Sequence, residues 1–263
     1  MLQGLRIIGS SEKLPFGIPP ILYKYREFDN PFHKKIIEDN CVYFAAPNTF
    51  PDTKDCHPKE IFPSEAVVRT RFWERSFRDY PCMSFEQREQ YVQNLVSTAP
   101  ILDIETRDAL IESIFADYCK CHGVLSVTAN PSNDKMWQEY AKGHTGFCVG
   151  FDSYKLATVS GAGGPVTYCD ELPEIRIWVD SQESEYEKRV FNKERKWDYE
   201  QEYRLCKTWP IEVIENGVDR NVFLPEGCIV SVICGCNMKP KDVDEMRRLL
   251  ARCQPQAKLT IES

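Results

Sequence analysis

The sequence predicts an α+β fold, in which residues 1–263 form one domain on a mixed, mainly antiparallel central sheet with a helical insertion at about residues 64–122. Two observations support this prediction. Short runs rich in β-branched and aromatic residues alternate with helical patterns, but without the strict rhythm of a parallel sheet. Between the second and third of these runs, the patterning over the insertion is helical throughout.

In the first part of the chain, ILYKYR (21–26) and CVYFAAP (41–47) predict two strands. A helix should join them, with Asn30 as its N-cap and Pro31 as its first residue. The proline-rich stretch NTFPDTKDCHPKEIFP then indicates an irregular loop. In the insertion we expect three helices, which would form either a lid over a cleft or a buttress, and their expected starts are Ser64, Ser84 and Asp103.

The second part of the chain returns to strand patterns separated by three helical segments. SGAGG (160–164) is expected to be a flexible connection, because no Lys-Ser/Thr pair follows it as in a phosphate-binding loop. The predicted helices are 133–143, 181–191 and 239–253, and the predicted strands are 124–130, 145–151, 165–169, 221–225, 228–235 and 257–263.

Composition restricts the classes of function. The formal net charge of −7 disfavours non-specific binding to nucleic acid backbones. The sequence has no run of 18 apolar residues and no secretory signal pattern at its start, so we expect a cytoplasmic protein that does not span a membrane. The twelve cysteines are scattered and form no Cys-x-x-Cys pair, which predicts reduced thiols and no metal site.

The stretch WDYEQEYRL (197–205) carries the strongest candidates for chemistry. If it is a strand, Glu200, Glu202 and Arg204 share one face, and Tyr199, Tyr203 and Leu205 belong to the other. Two carboxylates this close repel each other unless a cation lies nearby. The charged face could therefore be a solvated sheet surface with one ion pair or the wall of a ligand cleft. The aromatic face is expected in the core.

Four further residues are candidates for binding a ligand. Tyr25 and Arg26 end the first strand, where an arginine could bind a phosphate or carboxylate through its planar guanidinium. A surface ion pair of Arg26 with a neighbouring acid is the alternative. Tyr140 and His144 lie where a helix turns into a buried strand, and the histidine could point into a cleft or cap the helix.

Several of these stretches together resemble a bacterial family catalogued as domain of unknown function 2971. Over roughly residues 21–236 the order is LYKYR, VYFAAP, LSVTANPSNDKMWQEYAKGHTGFCVGF, VTYCD, KWDYEQEYRL and VSVICG. The blocks MW-x-x-YA-x-x-H-x-G-x-C-x-GF and W-x-YE-x-EYR carry most of the resemblance. The family's Asn-Asp-Pro-Phe pattern is matched loosely here, by Asn48 and Asp52 in NTFPDTKD.

The chain also resembles, more distantly, the skeleton of ADP-ribosyltransferases: a first strand ending in a polar residue, a short helix, a second strand, and a late strand with Glu-x-Glu. This resemblance implies that Arg26 holds NAD and that Glu202 stabilises the positive charge that develops as nicotinamide leaves. Glu200 would orient the acceptor, and Tyr140 or Tyr25 would stack on nicotinamide. The Ser-Thr-Ser element of many such enzymes has no clear counterpart, since Ser126-Val127-Thr128 matches it poorly.

The sequence thus predicts an enzyme that uses NAD or a related nucleotide as substrate, for ADP-ribosyl transfer or NAD cleavage, in bacterial stress or phage defence. The acceptor would be a protein or a nucleic acid. The site residues are Glu202 and Glu200 as catalytic groups, with Arg26, Tyr25, Tyr140, His144 and Arg204 binding substrate. Two alternatives remain open: a non-catalytic ligand- or protein-binding module, and a hydrolase or nuclease that uses the carboxylates with a divalent metal.

Overall fold

The computed structural model describes residues 18–210 and 219–262, and its centre is a seven-stranded sheet. The strand order is β13-β12-β5-β1-β4-β10-β6, and three two-stranded ribbons flank it. The strands are β1 (Ile21–Arg26), β2 (Cys41–Tyr43), β3 (Glu60–Ile61), β4 (His122–Thr128), β5 (Phe147–Asp152), β6 (Ala162–Pro165), β7 (Thr167–Cys169), β8 (Ile175–Arg176), β9 (Asn192–Glu194), β10 (Glu202–Thr208), β11 (Asn221–Phe223), β12 (Ile229–Cys234) and β13 (Lys258–Ile261).

Helices lie between the strands, and most of them follow the sequence prediction. Three short 3₁₀ helices cover Pro47–Thr49, Pro100–Leu102 and Arg195–Glu200. The α-helices are α1 (Pro31–Glu38), α2 (Glu65–Asp79), α3 (Phe85–Ser97), α4 (Arg107–Cys121), α5 (Asp134–Tyr140), α6 (Ser153–Ala157), α7 (Gln182–Val190) and α8 (Pro240–Cys253).

The helix starts show why local sequence predicted them well. The Asn30 side chain accepts a hydrogen bond from the backbone N–H of Phe32 at the start of α1, and Ser84 forms a full capping box with Gln87 on α3. The expected start at Asp103 is wrong, because α4 has Thr106 as its N-cap. Asp103 instead caps a turn, accepting from Thr106 Oγ1 at 2.8 Å.

The α+β class with a mainly antiparallel sheet is confirmed. Pairings within the central sheet are antiparallel, except that β13 runs parallel to β12. The prediction of a flexible connection at residues 160–164 is wrong, because β6 lies there and forms the edge strand beside β10. Gly163 permits this pairing, since a Cβ there would lie 2.7 Å from Leu205 Cδ2.

The sheet is divided between β1 and β4. β1 pairs with β5 along its whole length, and β4 pairs likewise with β10, but β1 and β4 share the single pair Tyr23–Thr128. Beyond this pair the two strands diverge, and Lys24 Nζ donates to the Ser126 carbonyl oxygen at 2.5 Å across the gap. The sheet therefore consists of two halves with a wedge-shaped opening between them.

Both faces of the sheet are covered by apolar packing. The main core joins side chains of α1 and α8 to Leu22, Val149 and Leu205 of the sheet. A smaller cluster joins Trp137 of α5 to Tyr25 and Cys148, which belong to the opposite face by the alternation of strands. Trp137 is fully buried and meets the Tyr25 ring edge-on, at 5.0 Å between centroids.

The helical insertion has a small core of its own. Val68 of α2 and Val92 and Val96 of α3 are buried together, and Phe72 packs on Trp178 outside the insertion. No helix of the described chain has both the length and the apolar composition that crossing a bilayer requires.

The close approach of β1 to the loop before β5 generates a prediction about Gly146. A Cβ at this position would lie 2.2 Å from the Arg26 carbonyl oxygen, so Gly146→Ala should lower the free energy of unfolding by about 2 kcal/mol or more. At Gly164 of β6 the nearest atom to a Cβ is Phe191 Cε1 at 3.8 Å, and Gly164→Ala should change stability by less than about 1 kcal/mol. Urea denaturation of both variants checks this, and equal losses would contradict the packing described.

Candidate functional site

A cavity of about 200 Å³ lies where β1 and β4 diverge. Residues 23–26 form one wall and residues 126–128 the other. The loop over residues 50–55 also borders it, and no residue of the helical insertion lines it, all of 64–122 being described. The insertion is therefore not a lid over this cavity. The other lining side chains come from α5, β9, the 3₁₀ helix before β10 and the start of β10, and they are Met136, Tyr140, Lys193, Trp197, Glu200 and Glu202.

WDYEQEYRL is not one strand. Residues 195–200 form a 3₁₀ helix, Gln201 takes a left-handed conformation with φ of 45°, and β10 begins only at Glu202. The chain turns sharply between the two glutamates, yet both carboxylates reach the same cation because the turn folds Glu200 back over the strand. The prediction that the two glutamates lie close together is confirmed, but the prediction that they share one face of a single strand is wrong.

The charged side chains are the buried ones in this stretch. Glu200 and Glu202 are each 4% exposed and Arg204 is fully buried, so the solvated-surface interpretation is wrong. Leu205 is in the core as expected, but Tyr199 and Tyr203 are only partly buried. Other chain segments cover the charged face of β10, and their polar groups satisfy its charges.

Lys193 of β9 neutralises the two glutamates. Its ammonium donates to Glu200 Oε2, to Glu202 Oε2 at 3.1 Å, and lies 3.6 Å from Asp55 Oδ2. Burial by itself would lower the pKa of Lys193, but the charges of Glu202, Glu200 and Asp55 outweigh it and raise the pKa above its ordinary value. Lys193 therefore stays protonated under a cluster of three carboxylates.

Arg204 lies behind Glu202, away from the cavity. Its guanidinium donates to Glu202 Oε1 at 2.8 Å, to both carboxylate oxygens of Asp55 at 2.8 Å, and to the Val190 carbonyl oxygen at 2.6 Å. These contacts use the planar fork of arginine fully. The prediction that Arg204 binds substrate is not met by this placement: with no exposed surface, it positions Glu202 instead.

The two glutamates have opposite pKa shifts although they share Lys193. Burial would raise the pKa of Glu202, but Arg204 and Lys193 outweigh it and lower the pKa to about 2. For Glu200, burial raises the pKa, and the attraction of Lys193 offsets this only in part, while Glu202 adds repulsion. Glu202 is therefore the permanent anion of the pair, and Glu200 is the carboxylate that takes up a proton more readily.

Two cations line the opposite wall. Lys24 and Arg26 form no ion pair with any described carboxylate, which rules out a surface pair of Arg26 with Glu27 or Asp29. The buried Arg26 Nε has no hydrogen-bond partner among the described residues. Burial lowers the pKa of Arg26 to about 10, so it remains a cation at neutral pH. For Lys24, burial followed by the charge of Arg26 lowers the pKa well below its ordinary value.

The two tyrosines of the prediction differ in role. Tyr140 of α5 is 38% exposed, and its hydroxyl donates to Glu200 Oε1 at 2.5 Å. Tyr25 is 2% exposed, and its hydroxyl donates to the Asn130 carbonyl oxygen and accepts from the Asn133 N–H. Tyr140 is thus placed to contact a ligand, whereas Tyr25 supports the wall of the cavity through the loop before α5.

His144 does not belong to the cleft. Its ring packs on Trp137, with Nδ1 2.7 Å from Glu262 Oε2 and Nε2 3.2 Å from Asp134 Oδ1. The prediction that it points into the cleft is wrong, whereas the alternative role as a helix cap is met by the backbone of His144, whose N–H donates to the Trp137 carbonyl oxygen in the last turn of α5 at 3.3 Å. Of the seven site residues that the sequence predicted, His144 and Arg204 lie outside the cavity, and the five that line it are Glu202, Glu200, Arg26, Tyr25 and Tyr140.

Sequence reasoning missed other lining residues. Lys24 could have been found, because it lies two residues before Arg26 and therefore shares one face of the same strand with it. Lys193 and Asp55 had no local signal, since a lysine in FNKERKW and an aspartate in TKDC resemble ordinary surface residues. Trp197, whose Nε1 donates to Asp52 Oδ2 at 2.8 Å, ties the loop over residues 50–55 to the 3₁₀ helix.

Residues 136–205 match the model of a protein family described as "Protein of unknown function (DUF2971)". This stretch runs from α5 into β10 and carries Tyr140, Lys193, Glu200, Glu202 and Arg204. No curated protein and no solved structure matches the chain. The similarity to this family therefore covers the cavity residues from Met136 to Glu202, and the two walls at residues 23–26 and 126–128 lie outside the matched residues.

Removing the cation between the glutamates should be strongly destabilising. Lys193→Met leaves two buried carboxylates without their shared partner, and we expect a loss of about 3 kcal/mol or more in the free energy of unfolding. Lys196→Met is the matched control, because Lys196 is 56% exposed and its ion pairs with Glu194 and Asp52 lie at the surface. Chemical denaturation measures both, and similar small losses would contradict the buried network.

The low pKa of Glu202 predicts a specific dependence of stability on pH. Because the folded pKa of about 2 lies below the ordinary value of 4.5, ionised Glu202 stabilises the fold above about pH 4.5, and this contribution is lost as pH falls towards 2. Glu202→Gln should therefore cost about 3 kcal/mol at pH 7. The difference from the wild-type chain should shrink between pH 4.5 and 3. A difference that is constant over this range in urea titrations would show that the charge of Glu202 contributes nothing.

Proposed function

We propose that this protein is an enzyme that binds NAD or a related nucleotide in the divided sheet and catalyses ADP-ribosyl transfer or NAD cleavage. One observation carries the proposal: a single cavity places Lys24 and Arg26, which have no carboxylate partners among the described residues, opposite the buried carboxylates Glu200 and Glu202. A ligand that is anionic at one end and becomes cationic at its reacting atom during the reaction fits this distribution of charge.

The wall formed by β1 would bind the anionic part of the ligand. Arg26 is the stronger candidate, because its buried Nε is unpaired within the described chain and a guanidinium can bind two phosphate oxygens at once. Lys24 adds a second hydrogen-bond donor beside it, and a bound phosphate would favour its protonated form. Aromatic rings at Tyr140 and Trp197 provide flat apolar surfaces for a nucleobase or a nicotinamide ring.

The size of the cavity limits how much of a dinucleotide it can enclose. A volume of about 200 Å³ is below the range of roughly 300–1,000 Å³ typical of pockets that surround a whole drug-sized ligand. The cavity would hold the reacting ring, its ribose and the phosphate next to Arg26, and the rest of the nucleotide would extend outside it.

The charges suit cleavage of an N-glycosidic bond. As the bond between ribose C1′ and the nicotinamide nitrogen breaks, its electron pair leaves with nicotinamide and positive charge develops on the ribose. With all five groups ionised, Asp55, Glu200 and Glu202 against Lys193 and Arg204 leave one net negative charge facing this position. A fixed anion aimed at a developing cation lowers the barrier, and Glu202, held by Arg204, is that anion.

Glu200 would act on the acceptor. Its raised pKa and its contact with the Tyr140 hydroxyl place a carboxylate that can take up a proton near the mouth of the cavity. It would orient the attacking hydroxyl of water or of an acceptor and receive its proton as the new bond to C1′ forms. Water as acceptor gives NAD cleavage, and a macromolecular group gives ADP-ribosyl transfer.

A non-catalytic binding module is the second candidate, and one observation favours it. Both carboxylates already have cationic partners, as in an ion-pair network with a purely structural role. For a metal-dependent hydrolase, a divalent ion would have to displace Lys193 from both glutamates, and no observation favours that function.

Binding and turnover of NAD by the full chain test the proposal. We expect heat on titration with NAD or ADP-ribose and release of nicotinamide over time. Arg26→Gln should weaken nucleotide binding by at least about tenfold, because it removes a charge-assisted hydrogen bond. The control Arg195→Gln should leave binding unchanged, since Arg195 is 55% exposed and pairs with Asp170 outside the cavity.

The two glutamates separate the candidate functions. Glu202→Gln, assayed while folded, should abolish nicotinamide release and leave nucleotide affinity within a few-fold of wild type. Binding without turnover in the wild-type chain would support the binding module. Neither heat nor nicotinamide release with NAD and ADP-ribose would refute the enzyme.

A further inference from the structure

Outside the cleft, three side chains of metal-binding type meet where strands β5, β12 and β13 have adjacent ends. The ligand atoms of His144, Cys236 and Glu262 all lie within 4.8 Å of one another. Glu262 Oε2 is 2.7 Å from His144 Nδ1, and it also accepts from the backbone N–H of Cys236 at 3.2 Å. Imidazole nitrogen, thiol sulfur and carboxylate oxygen are the three ligand types of zinc sites in proteins.

The backbone fixes the three segments that carry these side chains. The N–H of Asn237 donates to the His144 carbonyl oxygen at 3.0 Å, and the N–H of Gly235 donates to the Gly146 carbonyl oxygen at 2.9 Å. The N–H of Glu262 donates to the Cys234 carbonyl oxygen at 2.8 Å. The turn before β5, the turn after β12 and the end of β13 are thereby joined before any ligand binds.

The imidazole of His144 is oriented as in a metal ligand. Its ring is stacked on Trp137 with an interplanar angle of 12°, and Nε2 lies 3.2 Å from Asp134 Oδ1. In metal-binding histidines the other ring nitrogen usually lies beside a carboxylate or a carbonyl oxygen. His144 also takes a left-handed backbone conformation, with φ of 61°, which is uncommon for a residue other than glycine.

We propose that His144 Nδ1, Cys236 Sγ and a carboxylate oxygen of Glu262 bind a divalent transition metal of the zinc class, in a site separate from the cleft. The carboxylate of Asp134 lies 3.2 Å from the other ring nitrogen, Nε2. Three protein ligands leave the fourth position of a tetrahedral ion for water. A thiolate and an imidazole favour zinc over Mg²⁺ or Ca²⁺, which prefer oxygen ligands.

The present geometry requires small movements to accept the ion. Ligand atoms about 2.0–2.3 Å from a tetrahedral zinc are roughly 3.3–3.7 Å from one another. The Nδ1–Oε2 distance of 2.7 Å must widen, and rotation of the Glu262 side chain, which is partly exposed, can supply this. Cys236 is exposed, so the ion can reach the site from solvent.

This proposal revises the prediction of no metal site, which rested on the absence of closely spaced cysteine and histidine pairs. The three ligands are at positions 144, 236 and 262, so no local sequence pattern indicates them. The bound ion would hold the end of β13 against the loop that follows α5. This site stands independently of the proposed nucleotide chemistry, since none of its ligands lines the cavity.

Titration of the chelator-treated full chain with Co²⁺ and then Zn²⁺ tests the site. We expect a thiolate-to-cobalt charge-transfer band in the near ultraviolet, its loss on adding Zn²⁺, and no displacement by Mg²⁺. Cys236→Ser should remove the band and weaken Zn²⁺ binding at least about tenfold. Cys82→Ser is the matched control, an exposed cysteine in the turn between α2 and α3, and it should behave as wild type.

Glu262→Gln gives a second variant that leaves every cysteine in place. It should retain the thiolate band and weaken Zn²⁺ binding, because a neutral amide is a poorer ligand than a carboxylate. Absence of the band in the wild-type chain would overturn the proposal. Wild-type affinity in Cys236→Ser would also overturn it, since the metal would then be bound by other groups.

Discussion

The Lys193 ammonium holds together the part of the molecule in which chemistry could occur. It joins β9 to the 3₁₀ helix through Glu200, to β10 through Glu202 and to the loop over residues 50–55 through Asp55. Arg204 completes the network from behind. Desolvating five charged groups is expensive, and a buried network of this kind holds only while every member has its partner. Within this network Glu202 remains an anion, and Glu200 is the carboxylate with a raised pKa.

Because the sheet is divided, a cavity lies directly beside this network. A continuous sheet would pair β1 with β4 along its length and leave no space beside the glutamates. Because the pairing stops at Tyr23–Thr128, the edge of β1 with Lys24 and Arg26 faces the network across a cavity. A half-buried cation without a carboxylate partner and a buried cluster with one excess negative charge are each unfavourable alone. A ligand with matching charges would relieve both.

Helix α5 connects the two sites. Tyr140 at its end contacts Glu200 in the cleft, Asp134 at its start lies beside His144, and Trp137 between them is fully buried against the sheet. A metal at His144, Cys236 and Glu262 would fix the loop that follows this helix. The helix would then have its position determined by apolar packing at its middle and by polar contacts at both ends.

Local sequence determined the elements whose causes are local. The capping residues Asn30 and Ser84 and the β-branched and aromatic composition of β1 predicted helix and strand positions, and the α+β class followed from the order of these elements. The blocks around Trp137 and Glu202 directed attention to the right wall of the cavity. Arg26 and Tyr140 were identified because each lies near the end of a predictable element, and Glu202 was identified from the Glu-x-Glu pattern. Tertiary structure alone decided the rest. Lys193 and Asp55 reach Glu202 through segments far apart in sequence, and His144 faces Glu262 because β13 adds to the far edge of the sheet. Whether a charged side chain is buried depends on which other chain segments pack over it. A stretch with the alternation of a half-solvated strand therefore became a turn into a buried ionic core.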